Sequence, residues 1–223
     1  MRLSCVLGTG TDSLSTTTIG EISQNSIRMQ AWKTLKQSSV ISASPWLEVY
    51  RELVQLPDAR ILDDFYRIVL PDFAVVVPVT EIGELVMTRS YKHGPRRITL
   101  NAPAGFLNPG EPPLQAAQRE LFEETGYRSS EWQSLGSFMV DGNRQCGTAH
   151  LFLARNASRV APASNPDVNE IVEVELVSPR AFYQAVTGGE VVLLSTVCAV
   201  SLAMLVQNQC GKRIAMSEVT KKP

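Results

Sequence analysis

The stretch AGFLNPGEPPLQAAQRELFEETGY (Ala104–Tyr127) runs from a loop rich in glycine and proline into a segment with helical periodicity. Pro112-Pro113 suits a first helical turn, where a missing N–H costs nothing. Gly126 is placed to end the helix as its left-handed C-terminal residue. Between them Leu114, Ala117 and Leu121 recur at i, i+3 and i+7, which predicts one narrow core-facing stripe. Glu120 and Glu124 are four apart and share a face, and Arg119 and Glu123 are also four apart and can pair.

That helix end is built against its own stability. Carboxylates in the last turn oppose the helix dipole, costing about 0.3–1 kcal/mol each when exposed. The like-charged i,i+4 pair Glu120/Glu124 costs a few tenths of a kcal/mol more, by the same reasoning about helix neighbours. The residues alone leave two readings open. One is a solvated acidic face. The other is a site for a hard cation such as Mg²⁺, which takes carboxylate, phosphate and water oxygens.

Outward from this segment, LEVYRELVQL (Leu47–Leu56) and ILDDFYRIVL (Ile61–Leu70) read as a hairpin around the Pro57-Asp58 turn. DFAVVVPVT is a continuous apolar run suited to a strand buried on both faces. ELVMTRSY, RITLNA, SLGSFMV, TAHLFLAR and IVEVELVS read as further strands, with DGNRQCG joining SLGSFMV to TAHLFLAR. Ser178-Pro179 opens a helix over PRAFYQAVT, closed by Gly188-Gly189, and a last helix is expected over Val191–Gln207. Many strands before one central helix, with two helices closing the chain, predict an α+β fold and exclude an alternating doubly wound one.

The 223 residues are enough for one domain with a small appendage, and 44% apolar with 19% charged residues is an ordinary globular composition. A net charge of -1, with no basic run longer than Arg96-Arg97 in the body of the chain, argues against a nucleic-acid partner. The most apolar run, Val191–Val206, is shorter than the roughly 20 residues of a membrane span. Cys5, Cys146, Cys198 and Cys210 have no metal-ligand spacing and are read as reduced packing residues in a cytoplasmic protein. Residues 1–31 read as a disordered tail, 32–70 as an N-terminal β subdomain, 71–210 as the main domain and 211–223 as a C-terminal tail.

The spacing Gly105, Glu111, then Arg119-Glu120-Leu121-Phe122-Glu123-Glu124-Thr125-Gly126 resembles the Nudix hydrolase signature at each fixed charged or glycine position. Only Tyr127 differs from the aliphatic residue usual at its end. The resemblance implies an α/β/α sandwich with a mixed sheet and an N-terminal β-hairpin subdomain. It implies a loop–helix–loop that holds Mg²⁺ or Mn²⁺ and hydrolyses nucleoside diphosphates linked to another group. By position, Glu120, Glu124 and the Ala104 carbonyl are the implied metal ligands. Glu123 pairs with Arg119, the four catalytic-box residues being Arg119, Glu120, Glu123 and Glu124, and Glu111 is an accessory acid.

The wider order, SPWLEVYRELVQLPD, RSYKHG, PAG and LFLAR, is similar to ADP-ribose and ADP-sugar pyrophosphatases. That similarity implies a homodimer built on the N-terminal hairpin and cleavage of ADP-ribose to AMP and ribose 5-phosphate. Another nucleoside diphosphate sugar or dinucleotide, such as GDP-mannose or NADH, and a non-catalytic nucleotide-sugar sensor are the alternatives. Lys92, Arg144 and Asp141 are the candidate substrate-binding residues, Lys92 standing where the subfamily has an arginine. Two departures stand out. Asn101 replaces a glutamate usual two residues before the PAG proline, and the subfamily's loop glutamate aligns with Gly147. Asp141 or Glu170 then remains as general base, unless Asp141 is only a turn residue. His93 and His150 read as structural.

Overall fold

A computed structural model describes residues 29–163 and 171–209 of the chain. An antiparallel meander comes first: β1 (Lys33–Ala43), β2 (Leu47–Gln55) and β3 (Ile61–Val69). The chain continues through β4 (Phe73–Pro78), β5 (Leu85–Lys92), β6 (Arg97–Asn101) and the short β7 (Ala104–Phe106) into α1 (Pro113–Thr125). The two-residue β8 (Tyr127–Arg128) precedes the long hairpin of β9 (Glu131–Asp141) and β10 (Gln145–Arg155). β11 (Ser158–Arg159) pairs with β8, and β12 (Val172–Val177) leads to α2 (Pro179–Thr187) and α3 (Leu194–Gln209).

β10 organises the larger sheet. One of its edges carries β9, and the other carries β4 in parallel over Ala149–Ala154 and β3 at Gln145. β7 closes the sheet against β4, pairing Ala74 with Gly105. A second sheet is ordered β12-β5-β6. The hairpin strands β1–β3 thus prolong the main sheet, joined to it at the start of β10.

β4 shows why the chain layers as it does. Ala74 through Pro78 are all buried, as a strand covered on both faces must be. Val75 and Val77 join Leu151 and Leu153 in a core under α2 and α3, with Phe182, Ala199 and Val200. Ala74 and Val76 face the other way, onto Ala116, Ala117 and Leu121 of α1. Burial of each valine side chain contributes about 1.5–3 kcal/mol. The result is the expected sheet between two helical layers.

Several elements differ from expectation. β1 was not foreseen, because all eleven of its residues are exposed and it has no alternation to read. β7 lies inside a segment that reads as loop. Leu114 is 39% exposed and not in the stripe; the buried face of α1 is Ala116, Ala117, Leu121, Glu124 and Thr125. The last helix starts at Leu194, and only one of its faces is buried, with Leu194 and Leu205 exposed. α2 matches its expected bounds, with the Ser178 side chain accepting from the Ala181 N–H at 3.2 Å. The free cysteines Cys146 and Cys198 are half-buried. Cys5, Cys210, Glu170, most of the N-terminal tail and the whole C-terminal tail lie outside the described residues.

Candidate active site

The acidic helix end is held by one guanidinium. Arg119 Nε and Nη2 donate to the two oxygens of Glu111, both at 2.9 Å. Its Nη1 donates to Glu120 at 2.5 Å and Glu123 at 3.3 Å, and Nη2 also donates to the Phe106 carbonyl at 3.0 Å. Glu111 in turn accepts from the Asn108 N–H at 2.9 Å. The expected Arg119–Glu123 pair is present, but the bidentate partner is Glu111, which ties the loop to the helix.

The electrostatics of these acids diverge. Hydrogen bonds from Arg119 hold the Glu111 carboxyl below the usual carboxylate range. Burial pushes the Glu120 carboxyl up, against the opposing pull of Arg119. The Arg119 guanidinium is raised by its bonds to Glu111 and Glu120. Three carboxylates, of Glu111, Glu120 and Glu123, share this single cation, so the local charge is negative.

Gly105 is the floor beneath Glu120. A Cβ on it would lie 2.0 Å from Glu120 Oε1 and 2.5 Å from Oε2, so a side chain there would force the Glu120 carboxylate to move. Glu124 is 7% exposed and its Oε2 accepts from the Ala104 N–H at 3.3 Å. Gly105→Ala is expected to displace the Glu120 carboxylate and weaken divalent-metal affinity roughly tenfold, the low end for a displaced support around a metal. Mn²⁺ titration followed by electron paramagnetic resonance measures it, and unchanged affinity would contradict the role given to Gly105.

Among the described residues, no three His, Cys, Asp or Glu side chains form a ready-made cation cage. The donors present are all oxygens, from two carboxylates on one helix face beside a backbone strand. Such a set suits a hard divalent cation that completes its shell with water and substrate phosphate. The burial that pushes the Glu120 carboxyl up, and the negative charge around it, are what such a cation would relieve. Ala104 meets Glu124 through its N–H, whereas the resemblance implicates its carbonyl.

The other candidates fall elsewhere on the scaffold. Asp141 closes the β9–β10 turn: its Oδ1 accepts from the N–H groups of Asn143 at 2.8 Å and Arg144 at 2.6 Å. Arg144 Nη1 donates to the Tyr66 carbonyl at 3.2 Å. Gly147 has φ +80°, and a Cβ there would meet the Pro71 carbonyl oxygen at 2.9 Å. No glutamate can be accommodated at that position without moving the loop. Lys92 pairs with Arg97 at the far end of β5 from the Thr88–Asn101 pair, about 13 Å along the strand at 3.3 Å per residue. His150 Nδ1 lies 2.8 Å from Ser137 Oγ and its Nε2 is 3.9 Å from Asp72, while His93 Nδ1 is 3.3 Å from the Tyr91 hydroxyl. Buried Asn101 donates to Ser90 Oγ and the Thr99 carbonyl, and its Oδ1 has no hydrogen-bond partner among the described residues.

One pair of rings was missed in the sequence. Trp46, at the β1–β2 turn, is 64% exposed and lies 6.2 Å from the ring of Phe106, itself 52% exposed, at an interplanar angle of 58°. Phe106 follows Gly105 in β7 and its carbonyl accepts from Arg119, so the hairpin contacts the strand that backs the acidic helix end. No local pattern announces a contact between residues so far apart in the chain.

A sheet between helical layers, with a glutamate-ended helix docked over a glycine strand, is the arrangement of one family. The NUDIX domain profile matches residues 70–193, and the chain belongs to that family. Over 164 residues it is 29% identical to the ADP-ribose pyrophosphatase of Bacillus subtilis (strain 168), spanning 70% of this chain and 88% of that protein. It is also 32% identical over 104 residues to the methanol dehydrogenase activator of Bacillus methanolicus, 47% of this chain and 56% of that one. In three dimensions the fold matches a crystal structure of an ADP compounds hydrolase with a TM-score of 0.71 at 16% identity, covering 83% of this chain and 98% of that one.

Proposed function

We propose that the chain is a Mg²⁺-dependent hydrolase of the diphosphate bond in ADP-ribose or a related nucleoside diphosphate sugar, yielding a nucleoside monophosphate and a sugar phosphate. The observation that carries this reading is the cluster of three carboxylates around Arg119, with Glu120 above the Gly105 floor and Glu124 on the Ala104 N–H. The similarity to an ADP-ribose pyrophosphatase over most of both chains supports the substrate class.

In this reading Glu120, Glu124 and the Ala104 backbone hold the metal. When bound, the cation offsets diphosphate charge and lowers the pKa of an attacking water. Arg119 keeps Glu120 and Glu123 in register and binds the loop through Glu111. Lys92 and Arg144 are assigned to phosphate or sugar oxygens, Lys92 as a point charge and Arg144 as a planar fork. Asp141 has one oxygen committed to its turn, which leaves Oδ2 for the substrate.

The rings of Trp46 and Phe106 offer a stacking face to the base. Loss of one base–aromatic stack costs about 1–3 kcal/mol, so Trp46→Ala should raise the KM for ADP-ribose roughly tenfold with kcat little changed. An unchanged KM would remove Trp46 from the nucleoside site.

The exposed apolar residues of the first strand and its flank, Trp32, Leu35, Val40 and Ile41, favour a homodimer through the N-terminal hairpin. Gel filtration with light scattering tests this. Among the described residues no helix is long and apolar enough to cross a membrane. We assign the chain to the cytoplasm, with no nucleic-acid partner.

The deciding experiment measures Mg²⁺-dependent turnover of ADP-ribose, ADP-glucose, GDP-mannose and NADH. AMP release from ADP-ribose supports the proposal. Preferential cleavage of GDP-mannose or NADH keeps the chemistry and overturns the substrate, and binding without turnover of any panel member leaves a sensor.

A further inference from the structure

β3 and the segment after it grip the start of β10 at four points. The Ile68 N–H donates to the Arg144 carbonyl at 2.9 Å, and Arg144 Nη1 donates to the Tyr66 carbonyl at 3.2 Å. Arg67 Nη1 donates to the Gln145 side-chain oxygen at 2.6 Å, and Asp72 Oδ1 accepts from the Thr148 N–H at 2.7 Å. Between these contacts the chain bends sharply. Gln145, Cys146 and Gly147 have φ of +76°, +55° and +80°, and the register of β10 on β9 shifts between Gln145 and Thr148.

Left-handed backbone is disfavoured for Gln and Cys, and it persists only where the surroundings enforce it. One group that holds Gln145 is Arg67, which is itself held from several sides. Its Nε donates to Glu52 Oε1 at 2.8 Å, and Glu52 is 6% exposed. Its Nη2 donates to Gln37 at 3.2 Å, and the guanidinium lies 5.2 Å from the centre of the Tyr50 ring. A chain of contacts therefore runs from buried Glu52, through Arg67, to the residue that starts the bend.

The bend separates the sheet from the turn that carries Asp141 and Arg144, so it sets the direction of that turn. Gly147 cannot supply a side chain of its own, for the steric reason given above. Whatever this loop gives the substrate comes from the turn, and its aim depends on Gln145. We propose that Arg67, anchored on Glu52, is a positioning residue for the reaction, acting through Gln145 to aim the Asp141–Arg144 turn at the substrate. This rests on the hydrolase reading above.

The test compares Gln145→Ala, Gln145→Glu, Arg67→Met and Gln37→Ala with the parent, by kcat and KM for ADP-ribose with Mg²⁺ and by Mn²⁺ affinity in each variant. Gln145→Ala and Arg67→Met should lower kcat/KM about tenfold or more, as expected when catalytic groups are misplaced by a fraction of an ångström. Gln145→Glu keeps an acceptor for Arg67 and should stay close to the parent. Gln37→Ala removes only an exposed contact and should do the same. Mn²⁺ affinity should be constant across the set, because the α1 site is untouched. Activity of Gln145→Ala within twofold of the parent would overturn the proposal, as would equal losses in Gln145→Ala and Gln145→Glu, or a parallel loss of Mn²⁺ affinity. A parent chain that hydrolyses none of the panel substrates instead overturns the hydrolase reading, and this one with it.

Discussion

Glu124→Gln is expected to lower Mg²⁺-dependent turnover roughly 10³-fold, about 4 kcal/mol of transition-state stabilisation. The substitution is nearly isosteric, and its amide oxygen can still accept the Ala104 N–H that Glu124 accepts at 3.3 Å. What it loses is a negative charge at the C-terminal end of α1, where the helix dipole opposes it. The thermal midpoint of the metal-free variant should therefore match the parent or exceed it, since one unfavourable carboxylate has left the end of α1. The midpoint of the parent should rise with added Mg²⁺ and that of the variant should not. Kinetics and thermal melts with and without Mg²⁺ read both effects. A variant that keeps a tenth of the parental rate would remove Glu124 from the metal set.

The second large effect is on stability. Arg119→Met leaves Glu111, Glu120, Glu123 and the Phe106 carbonyl without their shared donor. Removing one partner from a largely buried ionic cluster costs about 3–5 kcal/mol, and the lower end applies because Arg119 is partly exposed. At about 2–4 °C per kcal/mol for a chain of this size, the midpoint should fall about 6–12 °C. Arg119→Lys should recover little of this, because three separate nitrogens of the fork are in use.

The pH dependence separates these contacts further. The Glu111 carboxyl is depressed in the folded protein by Arg119, so its contribution is present above the ordinary carboxylate range and is lost as pH falls through its lowered value. Glu120 is shifted the other way, so the metal-free fold gains from its protonation as pH falls. Acid melts of the parent carry both trends, and in Arg119→Met the Glu111 trend should shrink to what the Asn108 hydrogen bonds still supply.

Much of this was legible because the decisive signals are local. Pro112-Pro113 and Gly126 bound α1 and the i,i+4 glutamates mark its acidic end within a single segment, and Ser178-Pro179 with Gly188-Gly189 bounds α2. What escaped depends on contacts between distant parts of the chain. β1 has no buried face and exists by pairing with β2, Leu114 is turned outward by how α1 docks, and Glu111 finds Arg119 only once the loop folds back. The Trp46–Phe106 contact and the Arg67–Gln145 bond link positions that no periodicity connects. The β9–β10 turn was the least readable part, since a left-handed bend at Gln145 and Cys146 breaks the preference of both residue types.

The parallel pairing of β4 with β10 has a consequence for synthesis. Ala74 meets its partner His150 about 75 residues later, with the whole acidic loop and helix made in between. At about 5–20 residues per second a ribosome takes roughly 4–15 s to cross that interval. Through that time the emerging chain displays Phe73-Ala-Val-Val-Val-Pro78 with an unpaired edge, a short apolar segment of high β-propensity. A strand that ends up buried on both faces in the mature protein is thus open to aggregation during translation.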